Sequence, residues 1–401
     1  MARKMKDSGI EWIGEIPEDW KLIQLKHYCN VNNGKEVGVE IEKDDLEAID
    51  VFGSGGVFKY TNKHLYDGEA VLFGRKGTLG KPIYVNQKFW TVDTMYYLTF
   101  ANNLYPKFNY YQLCAFDWKP YITQTALPSV VAAQIVSCKL AFPIYEEQEK
   151  IVSFLDEKVA EIDNIILKTK ESIEGYKKLK QSVINEVAIK GLNKRIAYKK
   201  SDIEFVDAIP EHWVEMKNNF LFRENVRPYC EGDVPLSLSQ VDGLIPTADM
   251  KESSLKTASY DNWKKVVVGD LVLNRFKAHL GVLFASTLEG MVSFHYGVYE
   301  PQRKLVTKYY EYLYHSDYYK AIYAGMSNGM VVGLQNLSNV NFYAVKSLYP
   351  PYEEQVEIVT YLDERCAEIE TLIAKKEAFI EEMEAYKKSL IYEYVTGKKE
   401  V

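Results

Sequence analysis

The chain holds 401 residues, with 49 Lys+Arg against 56 Asp+Glu and a formal net charge of −7. At about 150 residues per domain, this length predicts two or three domains, each able to bury its own core. Hydrophobic residues at 47% and charged ones at 26% exclude a wholly disordered chain.

The N-terminus, MARKMKDSGIEW, lacks the apolar stretch of a secretory signal. No run approaches about 18 apolar residues, so no membrane span or membrane partner is expected. Cys29, Cys114, Cys138, Cys230 and Cys366 are scattered and never form a CxxC pair. They argue against a disulfide framework or structural zinc and predict a reducing, cytoplasmic location.

The chain opens with Ile10-Glu11, Ile16-Pro17-Glu18 and Trp20. Short β-prone runs follow, Ala70-Val-Leu-Phe73 and Lys81-Pro-Ile-Tyr-Val85, punctuated by glycines, and read as strands and turns. The aromatic segment Phe108 to Tyr121 reads as a helix. Pro143 then precedes an acidic first turn, Glu146-Glu147, where a helix dipole favours anions, and Gly191 stands where a C-terminal cap is wanted. Between them runs a three-four spacing: Val152, Leu155, Val159, Ile162, Ile166, Thr169, Ile173, Tyr176, Lys180, Val183, Val187.

The whole series then repeats. The opening motif returns 193 positions later as Ile203-Glu204, Ile209-Pro210-Glu211 and Trp213. Gly68, Val71, Leu72, Lys76, Leu79 and Gly80 return at an offset of 201 as Gly269, Val272, Leu273, Lys277, Leu280 and Gly281. Lys107, Tyr111, Lys119, Val130, Val131 and Gln134 return likewise as Lys308, Tyr312, Lys320, Val331, Val332 and Gln335. Val266-Val-Val268 and Leu271-Val-Leu273 read as strands, and Tyr309 to Tyr323 as a helix. Glu353-Glu354-Gln355 matches Glu146-Glu147-Gln148 at an offset of 207, and Gly397 caps the second long helix. The seam, shifted by 207, reads Val359, Leu362, Cys366, Ile369, Ile373, Lys376, Ile380, Met383, Lys387, Leu390, Tyr394. Its two polar members fall at the same places in both copies.

Helices of this length, roughly 60 to 70 Å at 1.5 Å per residue, would overhang an ordinary domain. Two that bury each other are the more economical arrangement. Only about a dozen residues separate Gly191 from Ile203, so the second globular part sits at the end of one helix and the start of the other. That requires antiparallel helices. The expected fold is α+β: two similar mixed α/β domains separated by a long antiparallel two-helix coiled coil, with a pseudo-twofold internal repeat.

Enzyme signatures fail on inspection. Gly74-Arg-Lys-Gly-Thr-Leu-Gly-Lys81 has one residue too many for a P-loop and continues with Pro82 where Ser or Thr would hold magnesium. Pro350-Pro351-Tyr352 lacks the Asn that grips a flipped adenine, since Tyr349 precedes it. The histidines show no metal-ligand spacing, and no nucleophile elbow is present. No catalytic residue, metal ligand or cofactor is assigned to this chain.

Charge is partitioned. Glu146 to Lys190 carries a net of −2 and Glu353 to Tyr394 a net of −7, so the remainder is +2. In that remainder, cationic and amide side chains cluster beside glycines and aromatics. Lys59, Lys63, Arg75, Lys76, Lys81, Asn274, Arg275, Lys277 and His279 are the candidate DNA-binding residues, since Arg and Lys meet phosphate or guanine and Asn reads adenine. The loops Phe73–Lys81 and Asn274–Val282 keep their Val, Leu and Gly frame and differ between, as two readers of different sequences would.

This pattern resembles the specificity (S) subunits of type I restriction-modification systems, the HsdS family. The carriers are Pro17-Glu18-x-Trp20 with Pro210-Glu211-x-Trp213, and Glu147-Gln148-x-x-Ile151 with Glu354-Gln355-x-x-Ile358. The likeness runs over essentially the whole chain. It implies target-recognition domains at 1–143 and 209–350, coiled-coil helices at 144–191 and 351–397, a linker at 192–208 and a tail at 398–401. It also implies a non-catalytic subunit that reads a split double-stranded DNA target, one half per domain. Two methyltransferase (M) subunits would dock on the helices, with Glu146, Glu147, Gln148, Glu353, Glu354 and Gln355 as candidate docking residues, and motor-nuclease (R) subunits would complete the complex. S-adenosylmethionine, ATP and magnesium would sit on those partners. The alternatives are a coiled-coil scaffold joining two protein-binding modules without a DNA role, and a self-sufficient methyltransferase.

Overall fold

A computed structural model describes residues 3–101, 104–123, 125–250, 260–327 and 336–401. The repeat partners Val331, Val332 and Gln335 lie outside the described residues. The α-helices, in chain order, are α1 (Pro106–Ala115), α2 (Ala132–Ser137), α3 (Tyr145–Lys190), α4 (Asn218–Leu221), α5 (Thr307–His315), α6 (Asp317–Met326), α7 (Asn339–Ala344) and α8 (Tyr352–Val395). The chain forms two compact units, residues 1–170 with 377–401 and residues 171–376, so each long helix contributes to both.

In the first unit, β1 (Met5–Asp7) pairs antiparallel with β2 (Glu15–Pro17), and β3 (Lys21–Gln24) with β10 (Lys139–Phe142). A six-stranded sheet carries β4 (Cys29–Asn33), β5 (Ile49–Gly53), β6 (Gly56–Thr61), β7 (Tyr66–Gly74), β8 (Ile83–Thr91) and β9 (Met95–Phe100) in the order β4-β9-β7-β8-β5-β6. The unbroken apolar run of β7 follows from covering both faces of its sheet. Val71 and Phe73 join the main core, while Ala70 and Leu72 join a second cluster with Phe89 and Tyr97. The helix expected from Phe108 to Tyr121 stops at Ala115. Phe116 is extended (φ −60, ψ 139), and the Trp118 indole N–H turns back to the Leu113 carbonyl at 3.0 Å.

The main core of this unit joins Trp20 and Phe108 to Val152 and Leu155 of α3 and to Leu390 and Tyr394 of α8. The Phe154 and Tyr394 rings lie 4.5 Å apart, and Lys387 donates to Asp163 at 2.8 Å. Numbers rise along one helix segment as they fall along the other, so the two segments run antiparallel.

In the second unit, β11 (Tyr198–Lys200) pairs with β12 (Ala208–Pro210), and β13 (Val214–Lys217) with β22 (Lys346–Tyr349). β14 (Phe222–Glu224), β18 (Leu271–Asn274), β19 (Leu283–Ala285) and β21 (Tyr296–Pro301) form a sheet ordered β14-β21-β18-β19. β15 (Leu236–Ser239) pairs with β16 (Gly243–Pro246), and β17 (Lys264–Val266) with β20 (Gly290–Val292). The strand expected over Val266–Val268 ends at Val266, because Asp270 takes the Val267 N–H at 2.9 Å and turns the chain. The helix expected over Tyr309–Tyr323 is two helices. Ser316 is extended (φ −67, ψ 150) and its hydroxyl caps α6 by accepting the Tyr319 N–H.

The tyrosine excess goes into this core. Tyr309, Tyr310, Tyr314, Tyr319 and Tyr323 are all buried. Lys376 lies over the Tyr176 ring at 5.7 Å and Lys180 pairs with Glu370, so the segments of α3 and α8 in this unit are antiparallel as well. Every position of both three-four seams is shielded, wholly or in part. The polar members Lys180 and Lys387 stay at the margin by pairing with an acid on the facing helix.

Candidate nucleic-acid interface

In the first unit, the loop between β7 and β8 is fixed from three sides. The Arg75 and Lys76 N–H groups donate to the Thr94 carbonyl at 2.8 and 3.2 Å, the Val130 N–H donates to the Arg75 carbonyl at 3.0 Å, and the Thr78 N–H donates to Ser54 Oγ at 3.2 Å. The loop leads from one strand to another, so no helix N-terminus follows Gly74–Lys81 and the P-loop resemblance has no structural counterpart. Anchored this way, Arg75, Lys76 and Lys81 are exposed. The Arg75 guanidinium lies over the Tyr96 ring at 5.8 Å, a flat face that can stack or fork onto a base edge or phosphate. Lys63 is exposed after β6. Lys59 on β6 is engaged with Glu40 and lies over Phe58.

The matching loop of the second unit is built differently. Asn274 accepts the Phe276 N–H at 3.1 Å through its side chain and the Lys277 N–H at 3.0 Å through its carbonyl. Its amide oxygen therefore holds the turn. Arg275 is not a free reader: its guanidinium is 2.7 Å from Glu224, whose same oxygen takes Lys264 at 2.9 Å. The reason is burial, since Glu224 sits under β21 and α7, where a lone carboxylate would be costly and two cations offset it. Lys277 is exposed. His279 is half-buried, and its Nδ1 meets no hydrogen-bond partner among the described residues. Phe276, Phe294 and His295, which sequence reasoning passed over, form an exposed ring cluster here, with His295 at 3.9 Å from Phe294 and 5.7 Å from Phe276. The offset of 201 puts Phe276 opposite Arg75, a signal available in the sequence.

The six helix-start residues divide by role. Glu147 takes Arg3 at 2.7 Å and the Trp20 indole N–H at 3.3 Å, and Glu354 takes His212 and the Trp213 indole at 2.6 and 2.9 Å. Gln148 and Gln355 are buried. Gln148 accepts the Tyr105 N–H at 3.1 Å and donates to the Pro143 carbonyl at 3.0 Å; Gln355 accepts the Val306 N–H at 2.8 Å and donates to the Pro350 carbonyl at 2.9 Å. These four act as struts inside each unit. Glu146 and Glu353 are exposed, with Glu353 3.7 Å from Lys304. Pro351-Tyr352 opens α8, with Lys304 over the Tyr352 ring at 4.1 Å, so it is a helix boundary.

Titratable groups in the second unit reflect burial. His315 is pushed down to about 4, first by burial and then by nearby Lys320, against the pull of its bond to the Leu283 carbonyl. Burial raises the Glu311 carboxyl against Lys308 and the Ala285 N–H. Tyr111 and Tyr312 are raised by burial and by donating to Asp156 and Asp363, at 2.7 and 2.6 Å, one matched pair per unit. Among the described residues no group of three or more His, Cys, Asp or Glu side chains is placed to hold a metal ion, and no helix is long and apolar enough to cross a membrane.

Each of the two mixed α/β units offers an anchored loop and is closed by segments of the same two long helices. Residues 17–175 match the type I restriction modification DNA specificity domain. The MjaX type I specificity subunit of Methanocaldococcus jannaschii is 24% identical over 248 residues, 53% of this chain and 55% of that protein. The MjaVIII specificity subunit of the same organism is 25% identical over 218 residues, 45% and 49% of the two chains. The chain thus spans about half the length of the curated relatives it matches. Its fold is shared with a chain of a solved structure concerned with complex assembly and conformational transition of the type I R-M system: the TM-score is 0.66 at 14% identity, covering 96% of this chain and 99% of that one. The family-model match covers residues 17–175, less than half of the chain, and the curated specificity subunits are similar to it over about half of its length.

Proposed function

We propose that this chain is the non-catalytic, sequence-reading subunit of a type I restriction-modification complex. Residues 1–143 and 209–350 serve as its two target-recognition domains, and 192–208 as the link between repeats. Residues 144–191 and 351–397 form an antiparallel coiled coil that relates the domains by a pseudo-twofold axis and sets the spacer between half-sites, leaving 398–401 as a tail. On nearly twofold DNA, two half-sites that face the same way lie about one helical turn, ~34 Å, apart. Supporting this are the antiparallel helix segments within each unit and the repeated strand-loop frame with unlike tips.

Two methyltransferase subunits dock on the helical regions, where Leu167, Leu179, Phe379 and Tyr386 leave apolar surface exposed, and motor-nuclease subunits join them in the cytoplasm. S-adenosylmethionine, ATP and magnesium belong to those partners, and the methyltransferase holds the flipped adenine.

The carrying observation is the Arg75–Lys76 loop, rigidly tied and cationic on its outer side. The test purifies the chain with its methyltransferase partner, maps methylated sites by sequencing, and measures binding to the resulting split target across salt concentrations. Arg75→Ala with Lys76→Ala should weaken binding and flatten the log–log salt slope by about 0.9 for each phosphate no longer neutralised. Protection of a continuous site refutes the split-target function. An unchanged slope, with binding that ignores sequence, favours the scaffold alternative.

A further inference from the structure

We infer that the second unit reads thymine, through apolar contact of Phe276 and Phe294 with the C5-methyl group in the major groove. This rests on the DNA-reading function proposed above. The two units present opposite chemistry at one structural place. Where the first carries Arg75, exposed and backed by Tyr96, the second carries Phe276. The arginine beside it, Arg275, turns inward to Glu224.

Phe276 and Phe294 are 40% and 51% exposed, and His295 bridges their rings. The patch is held firmly from beneath. The Arg275 carbonyl accepts the Leu337 N–H at 2.9 Å, and Lys277, Leu280 and Gly281 close successive turns on Asn274, Lys277 and Ala278, with Ala278 fully buried. A rigid apolar tip costs little entropy on binding.

A duplex fits better than an apolar protein surface because Lys277, exposed beside the rings, supplies the cation that a phosphate backbone demands. On a base-pair edge in the major groove, the apolar feature is the thymine methyl.

Deoxyuridine tests this, since it removes that methyl and leaves the pairing edge unchanged. Each thymine of the split target is replaced singly, and binding of the chain with its methyltransferase partners is measured at fixed salt. At one or more positions of a single half-site, replacement should weaken wild-type binding by roughly fivefold, the worth of one buried methyl group. Phe276→Ala with Phe294→Ala should bind more weakly on thymine and lose that fivefold difference. Both side chains are exposed, so an unchanged melting temperature shows the variant folded; should it bind too weakly to measure, the two single variants carry the same comparison. The inference is overturned if no thymine position responds, or if the variants keep the full response. A complex that ignores the split target altogether overturns instead the DNA-reading function beneath it.

Discussion

Gln355→Leu is the sharpest test of how the helix start is tied to its unit. The side chain is fully buried and makes two hydrogen bonds, from the Val306 N–H and to the Pro350 carbonyl. Leucine fills nearly the same volume, so the change strands two buried backbone groups rather than opening a cavity. Each stranded group costs about 1–3 kcal/mol, which for two groups predicts a loss of about 2–6 kcal/mol. For a unit of this size, that lowers the melting temperature by about 5–15 °C. Calorimetry of the full chain measures this, and hydrogen exchange resolved to the peptide containing Val306 reports where it arises. The control is Glu353→Ala, two residues away on the exposed side, which should stay within about 0.5 kcal/mol of wild type. If Gln355→Leu matched the control and the Val306 amide stayed protected, the strut would be structurally irrelevant.

Three further outcomes follow from the geometry. Trp213→Phe should cost about 1 kcal/mol more than Trp20→Phe in chemical denaturation, because the indole bond to Glu354 is 2.9 Å and that to Glu147 is 3.3 Å. Gly191→Ala should cost about 1–2 kcal/mol, from φ +70 and a Cβ 3.1 Å from Trp213. Gly397→Ala should cost ~3 kcal/mol or more, since its Cβ would stand 2.4 Å from Pro17 Cδ. His315 binds its proton more weakly folded than unfolded, so its contribution is present above its ordinary value near 6.5 and is lost as pH falls toward about 4. Between pH 7.5 and 4.5 the wild type should lose about 2–3 kcal/mol more than His315→Gln, as read from guanidinium midpoints.

What was legible in the sequence was local or periodic. The seams of α3 and α8 show because helix geometry repeats every three or four residues, and the caps at Gly191 and Gly397 show because a left-handed residue favours glycine. The tyrosine-rich helix was overextended, since the break at Ser316 depends on one hydroxyl capping α6. Glu147, Gln148, Glu354 and Gln355 were visible as a motif, but their partners, Trp20, Tyr105, Trp213 and Val306, lie far away in sequence. Repetition marks such residues without saying what they touch. At the candidate interface, the loop positions were legible and the commitments of individual side chains were not. Arg275 and Lys59 read as free cations, yet each is claimed by a carboxylate that only the folded chain brings near.

The division of α3 and α8 between units sets an order of maturation. Once residue 376 has left the ribosome, every residue of the second unit is available, and its tyrosine core can consolidate. The first unit is made earlier but must wait, because Leu390, Ile391, Tyr394 and Val395 belong to its core and arrive more than 200 residues after Leu155 is in place. The earlier-born half is therefore the later to mature, and a nascent chain stalled near residue 376 would expose the apolar flank of Trp20 and Val152 to whatever chaperone attends it.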